Sequence, residues 1–248
     1  MLLRCAGLTG KRVKMMNKKN VLTVCILLVF IPTLVLVGAI AFKEKMYAFL
    51  SLVVAIVSCV PLFYAFERKD TTASELTVLA VLIAMSAVGR FVFAWIPGFK
   101  PVTAITVIIA VWLGKEAGFV VGSLSAVISN FYFGQGPWTP FQMLSWGLIG
   151  FIAGVVSKPL LKSRALLCLY GAFAGVFYSA AMDVWTTVWA DGYFNITRYL
   201  ASLVVAAPAT VSYAVSNVIF IWLLAKPFGE KLSRLKKKYG LFSVNEKK

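Results

Sequence analysis

The residues able to do chemistry in this chain are few, and they suit capture of a ligand better than turnover of one. Asn130–Gln142 joins two apolar runs and carries no charge, two prolines, two glycines and a run of aromatics. A connector between apolar helices need only be short and polar. This one is stiff and flat-faced, with Asn130, Gln135, Thr139 and Gln142 as directional hydrogen-bonding groups and Tyr132 and Trp138 as planes. That composition suits the mouth of a small-molecule pocket, where apolar faces bury a ligand and a few polar groups orient it. A tight turn with interfacial aromatic anchors fits the same residues. Arg90 lies near the far end of an otherwise apolar run, with Trp95 and Lys100 just beyond it. An arginine there must be paired, face water or snorkel to the interface. Asp183 and Trp185 open a segment rich in Trp and Thr, and Asn217 sits inside the last apolar run.

Bond-making chemistry finds little support. The chain has no histidine, so His general bases, His metal ligands and the usual triads are excluded. Cys5, Cys25, Cys59 and Cys168 are scattered without CxxC spacing, as buried free thiols are. Asp183 and Asp191 are isolated carboxylates with no metal-binding pattern. No GxxxxGK[ST] occurs, so the chain cannot hydrolyse ATP by that route. No catalytic residue, metal or cofactor is expected.

The elements that must position these residues are membrane helices. Hydrophobic residues make up 60% of the 248 and charged ones 14%, where a soluble domain runs near one half and one quarter. The apolar residues form long runs without period-two alternation, so the fold class expected is an all-α polytopic membrane protein and not a barrel. Eight segments are read: 21–42, 46–66, 76–96, 102–113, 118–133, 141–156, 165–182 and 200–225. Residues 1–20 form a basic leader, within which Met15 and Met16 resemble a natural start. The first two runs, within 21–66, form a transmembrane hairpin; a signal peptide is the competing reading of the first. Residues 226–248 make a basic tail, with Leu232 and Leu235 able to lie against a leaflet. Ala80 and Ala84, four apart on one helix face, let another helix approach closely, whether from this chain or a partner.

The net charge of +16 is not a nucleic-acid footprint, because the basic residues sit at the ends of apolar runs. With connectors assigned to alternate sides, 20 lysines and arginines fall on one side and four on the other, with Arg90 inside the membrane. Both ends are therefore expected in the cytoplasm of a multi-pass cell-membrane protein. Arg90, Lys100, Asn130–Gln142 and the connector after Asp183 then share the outer side.

Residues 75–225 resemble the substrate-binding membrane subunits, or S components, of energy-coupling factor (ECF) vitamin transporters. The resemblance rests on six apolar segments, Ala80-xxx-Ala84 in the first of them, and the outward Gly134–Pro140 stretch. It implies a six-helix binding core preceded by an extra hairpin, and a vitamin or related small molecule bound outside. It also implies docking of a transmembrane coupling protein on Ala80 and Ala84, and uptake powered by two cytoplasmic ATPases. Phe99–Thr103 and Ser129–Pro140 look like a subgroup assigned to cobalamin or related corrinoids. The site expected sets Trp95, Tyr132, Trp138 and Trp185 as flat surface and Asn130, Gln135, Thr139, Gln142 and Asn217 as hydrogen-bonding groups. Arg90 and Lys100 supply positive charge, with Asp183 as Arg90's partner. For each aromatic the alternative is a belt residue, and for Asn217 a helix–helix hydrogen bond. A membrane scaffold or assembly factor without small-molecule affinity is the rival function.

Overall fold

The computed structural model describes residues 72–242, together with Val53, Ile56 and Val60. The leader and nearly all of the expected hairpin lie outside the described residues. Those described form seven helices and no strand: α1 (Ala73–Val92), α2 (Val102–Leu113), α3 (Lys115–Phe133), α4 (Thr139–Val155), α5 (Ser157–Lys162), α6 (Arg164–Asp191) and α7 (Ile196–Tyr239). α1, α6 and α7 are long and apolar enough to cross a membrane, and α2 and α4 are shorter apolar helices. The chain is an all-α membrane protein, with α5 a short turn between the fourth and fifth long segments.

Local chemistry sets the helix starts. Thr72 and Glu75 form a reciprocal capping box at α1: the Glu75 amide donates to Thr72 Oγ1 (3.2 Å), and the Thr72 amide to Glu75 Oε2 (3.0 Å). Ser163 caps α6 and Asn195 caps α7 through their side-chain oxygens. Gly114, at φ +116°, is the whole break between α2 and α3. The expected charged turn at 114–117 is thereby reduced to one residue, because glycine reaches a backbone region closed to other residues.

The helices assemble around α2. Eleven of its twelve residues are buried, and it packs against all six other helices. At about 18 Å it is too short to cross ~30 Å of hydrocarbon, so it lives as a core helix walled in by its neighbours. α3 and α4 run antiparallel at close range. A Cβ on Gly150 would run into the Gly118 carbonyl, and one on Gly122 into the Trp146 carbonyl. Small residues at such a seam let backbones approach and make dispersion contacts that larger side chains would hold apart. Gly150→Val should therefore cost about 3 kcal/mol, read as a large fall in melting temperature in detergent, whereas the same change at exposed Ala84 should not.

α7 differs from its expected extent. It runs 44 residues, through Pro208 and Pro227, well past Ala225. Leu232 is buried in the core, and the Trp112 ring packs directly against Gly229. The basic tail is thus, up to Tyr239, a continuation of the last helix anchored by an apolar face, and hydropathy alone ended the segment at its first lysine.

Candidate binding site

One end of the bundle gathers the end of α1, the α1–α2 turn, the end of α3 and the start of α4, facing the stretches of α6 and α7 around Tyr178 and Tyr213. The turn from Pro97 to Lys100 is tied to α7: Ser212 Oγ donates to the Pro97 carbonyl (2.9 Å) and Ser216 Oγ to the Lys100 carbonyl (3.1 Å). Gly98 adopts φ +73° against Ser212, so this turn is held close to α7.

Arg90 is the centre of the arrangement and is 7% exposed. Its Nη1 donates to Ser129 Oγ (2.5 Å) and to Asn130 Oδ1 (2.8 Å). Asn130 is buried and passes the order on: its Nδ2 donates to Thr139 Oγ1 (2.9 Å) and Gln142 Oε1 (2.8 Å). An amide whose oxygen faces a guanidinium has only one orientation open to it. Gln142 Nε2 continues to the Tyr178 hydroxyl (3.2 Å). One chain of hydrogen bonds therefore joins α1, α3, α4 and α6, and each member fixes the next.

Aromatic planes line the same space. The guanidinium carbon of Arg90 lies 4.4 Å from the Phe133 ring centre and 5.2 Å from that of Trp146. Lys100 Nζ sits 5.1 Å from the Phe133 ring centre, so two cations share one aromatic ring. Tyr178 stacks on Trp146 at 4.8 Å and 2° between planes, and Tyr213 meets Tyr178 edge-on at 5.3 Å. Trp146 Nε1 donates to Thr103 Oγ1 (3.2 Å), which locks the indole. Arg90, Lys100, Thr103, Trp146, Tyr178 and Tyr213 surround a cavity of about 20 Å³, room for about one water molecule. None of the residues lining it is a carboxylate. Arg90 Nε, buried, has no hydrogen-bond partner among the described residues. The arrangement offers two cations, stacked aromatic faces and a held amide to an anionic or carbonyl-bearing planar molecule, after an opening that enlarges the cavity.

Burial, and then the nearby Arg90 charge, hold the Lys100 ammonium below its ordinary pKa of 10.5. A base with a lowered folded-state pKa binds fewer protons folded than unfolded, so stability rises with pH between that lowered value and 10.5 and falls as Lys100 charges. Thermal melts across alkaline pH should show that rise, and Lys100→Met should remove it.

The structure brings together Arg90, Lys100, Asn130, Thr139 and Gln142 among the residues singled out from sequence. Gln135 supports them from the loop, accepting from the Thr139 hydroxyl (3.1 Å) and donating to the Val127 carbonyl (2.9 Å). The others sit apart. Trp95 is 78% exposed with its Nε1 on the Val92 carbonyl, and Tyr132 is exposed against Phe91 and Phe133. Trp138 folds back over Gly136 in its own loop. Trp185 is buried between Phe141 and Trp189, away from the residues lining the cavity. Asn217 donates to the Gly171 carbonyl (3.0 Å) in the α6–α7 seam, the helix–helix alternative. Arg90's partners are Ser129 and Asn130, not Asp183, whose buried Oδ2 has no hydrogen-bond partner among the described residues. Phe133, Trp146, Tyr178 and Tyr213 were not singled out from sequence. All four lie inside or at the end of apolar runs, and the usable signal was that Tyr and Trp carry a polar tip which, when buried, needs a partner.

A family model described as the S component of an ECF-type riboflavin transporter matches residues 70–234. A UPF0397 protein of Aliivibrio salmonicida is 26% identical over 177 residues, covering 63% of this chain and 93% of that protein. A UPF0397 protein of Vibrio atlanticus is 25% identical over 173 residues, covering 62% and 92%. One from Aliivibrio fischeri strain MJ11 is 25% identical over 175 residues, covering 63% and 93%. No solved structure matches.

Proposed function

The chain belongs to the family of ECF-type riboflavin transporter S components, and from that premise we propose that the Arg90 network is the substrate site of a vitamin-uptake subunit. The family is a transporter component and not an enzyme family, and the chain is a substrate-specific membrane subunit. The observation that carries the site is the buried guanidinium of Arg90, bridged to three other helices through Asn130 and Gln142 and bordered by Lys100 and stacked aromatics with no carboxylate in the lining. Cations held without a counter-charge favour ligand carbonyls or anions, and adjacent stacked rings favour a flat ring system.

The ligand class is a flat, carbonyl-bearing heterocycle. Riboflavin, the vitamin in the family's description, fits it: its ring carbonyls would accept from Arg90 and Lys100, and its plane would lie against Trp146 and Tyr178. Cobalamin, expected from the loop stretches, is far larger and asks a wider opening of a cavity that now holds about one water. Partners follow from the family role: an ECF coupling protein in the membrane and two ATPases, with Ala80 and Ala84 as the docking face. Both are exposed on α1, beside Val81 and Val88, so a partner helix can reach them. The basic end of the bundle, carrying α5 and the end of α7, faces the cytoplasm in this reading.

Titration of the purified protein with riboflavin, read by quenching of flavin fluorescence, tests the ligand class. Saturable quenching that excess cyanocobalamin leaves unchanged is the expected result. Saturable binding of cyanocobalamin with none of riboflavin would reassign the substrate to the corrinoids.

A further inference from the structure

The opposite end of the bundle holds a second, much larger cavity that the transport site does not use. It measures about 480 Å³ and opens between the end of α2, α5, the start of α6 and the extended part of α7. Its wall is apolar, built by Trp112, Leu160 and Leu167. Its rim carries Arg164, Lys226 and Arg234 against a single carboxylate, Glu230. Among the described residues none of these four makes a salt bridge; Arg164 lies over the Trp222 ring at 4.2 Å. The rim charges stand at the level where α6 begins and where the apolar part of α7 gives way to lysines and arginines, the level of the membrane interface.

We propose that this cavity binds an anionic membrane phospholipid, its phosphodiester held by Arg164, Lys226 and Arg234 and its acyl chains against the Trp112–Leu160–Leu167 wall. Three cations around one carboxylate leave excess positive charge, which a phosphodiester neutralises and a zwitterionic headgroup does so less fully. The apolar wall sets lipid apart from free phosphate, since an inorganic ion gains nothing from leucine and tryptophan. Two of the three cations, Lys226 and Arg234, stand on the part of α7 beyond the last expected span. A lipid bridging them to Arg164 of α6 would pin that helical extension to the bundle. The inference is independent of the ligand assigned to the Arg90 site.

The test uses the full chain in detergent, with lipid adducts counted by native mass spectrometry and melting temperature followed on adding phosphatidylglycerol, phosphatidylcholine or inorganic phosphate. Phosphatidylglycerol should bind saturably and raise the melting temperature, while the other two should not. Lys226→Gln with Arg234→Gln, both exposed and outside the core, should weaken the apparent phosphatidylglycerol affinity roughly tenfold or more and leave riboflavin binding and the lipid-free melting temperature unchanged. Arg164→Gln gives a second, independent loss. Equal effects of phosphatidylcholine, or full stabilisation by inorganic phosphate alone, would overturn the proposal. So would a double variant that keeps its lipid adducts, or one that changes only the oligomeric state, as a second copy seated in the cavity predicts.

Discussion

Arg90→Ala is expected to abolish substrate binding, weakening it about 100-fold or more, with the helical fold retained. Hydrogen bonds to a charged group contribute about 1.5–3 kcal/mol each, and each 1.4 kcal/mol is about tenfold in affinity. The loss is compounded inside the protein. Asn130 Oδ1 faces Arg90, and Nδ2 of the same amide holds Thr139 and Gln142. Without the guanidinium the amide is free to turn, and the order it imposes on α4 and on Tyr178 is lost with it. Arg90→Lys keeps the charge but not the planar donor fork, and should recover only part of the affinity. Fluorescence titration or calorimetry on the purified variants reads the effect, with circular dichroism confirming that the helices remain. Wild-type affinity in Arg90→Ala would remove the site from this end of the bundle.

Ala84→Trp is expected to leave substrate affinity unchanged and to reduce cellular uptake to background. Ala80 and Ala84 are exposed on α1, while Leu79, Leu82 and Ile83 of the same helix are buried. The core face and the small-residue face of α1 are therefore different faces, and bulk added to the second does not reach the binding network. Association of membrane helices depends on close backbone approach, since lipid gives little apolar driving force between them. An indole at Ala84 would hold the partner helix away along the contact. Binding by the purified variant and uptake by cells expressing it with its coupling and ATPase subunits separate the two effects. Normal uptake in Ala84→Trp would place the docking face elsewhere.

The class of fold was legible because bilayer physics writes itself into composition: backbone groups must pair within each segment, so apolar runs are helices, and their lengths are set by the membrane. Hydropathy was blind to what lies beyond it. It ended the last helix at Ala225, while α7 continues to Tyr239 because Leu232 and Gly229 keep an apolar, closely packed face among the lysines. It read the seventh segment as ending at Met182, while α6 runs to Asp191 with Trp185, Thr187 and Val188 buried.

The sequence by itself determined that this chain is a bundle of membrane helices, that it has no histidine, and that Arg90, inside an apolar run, must be paired, face water or snorkel. Only the tertiary structure decided what they meet. Ser129, Trp146, Tyr178 and Tyr213 come from four helices and stand up to 84 positions apart along the chain, and beyond the polar tips of the Trp and Tyr side chains nothing local distinguishes them from residues that merely pack. The physical reason is that a buried cation must find partners through space. Which partners it finds depends on crossing geometry set by Gly118, Gly122 and Gly150 in the α3–α4 seam, and the Arg90 that reads as an anomaly in one segment becomes the joint between four.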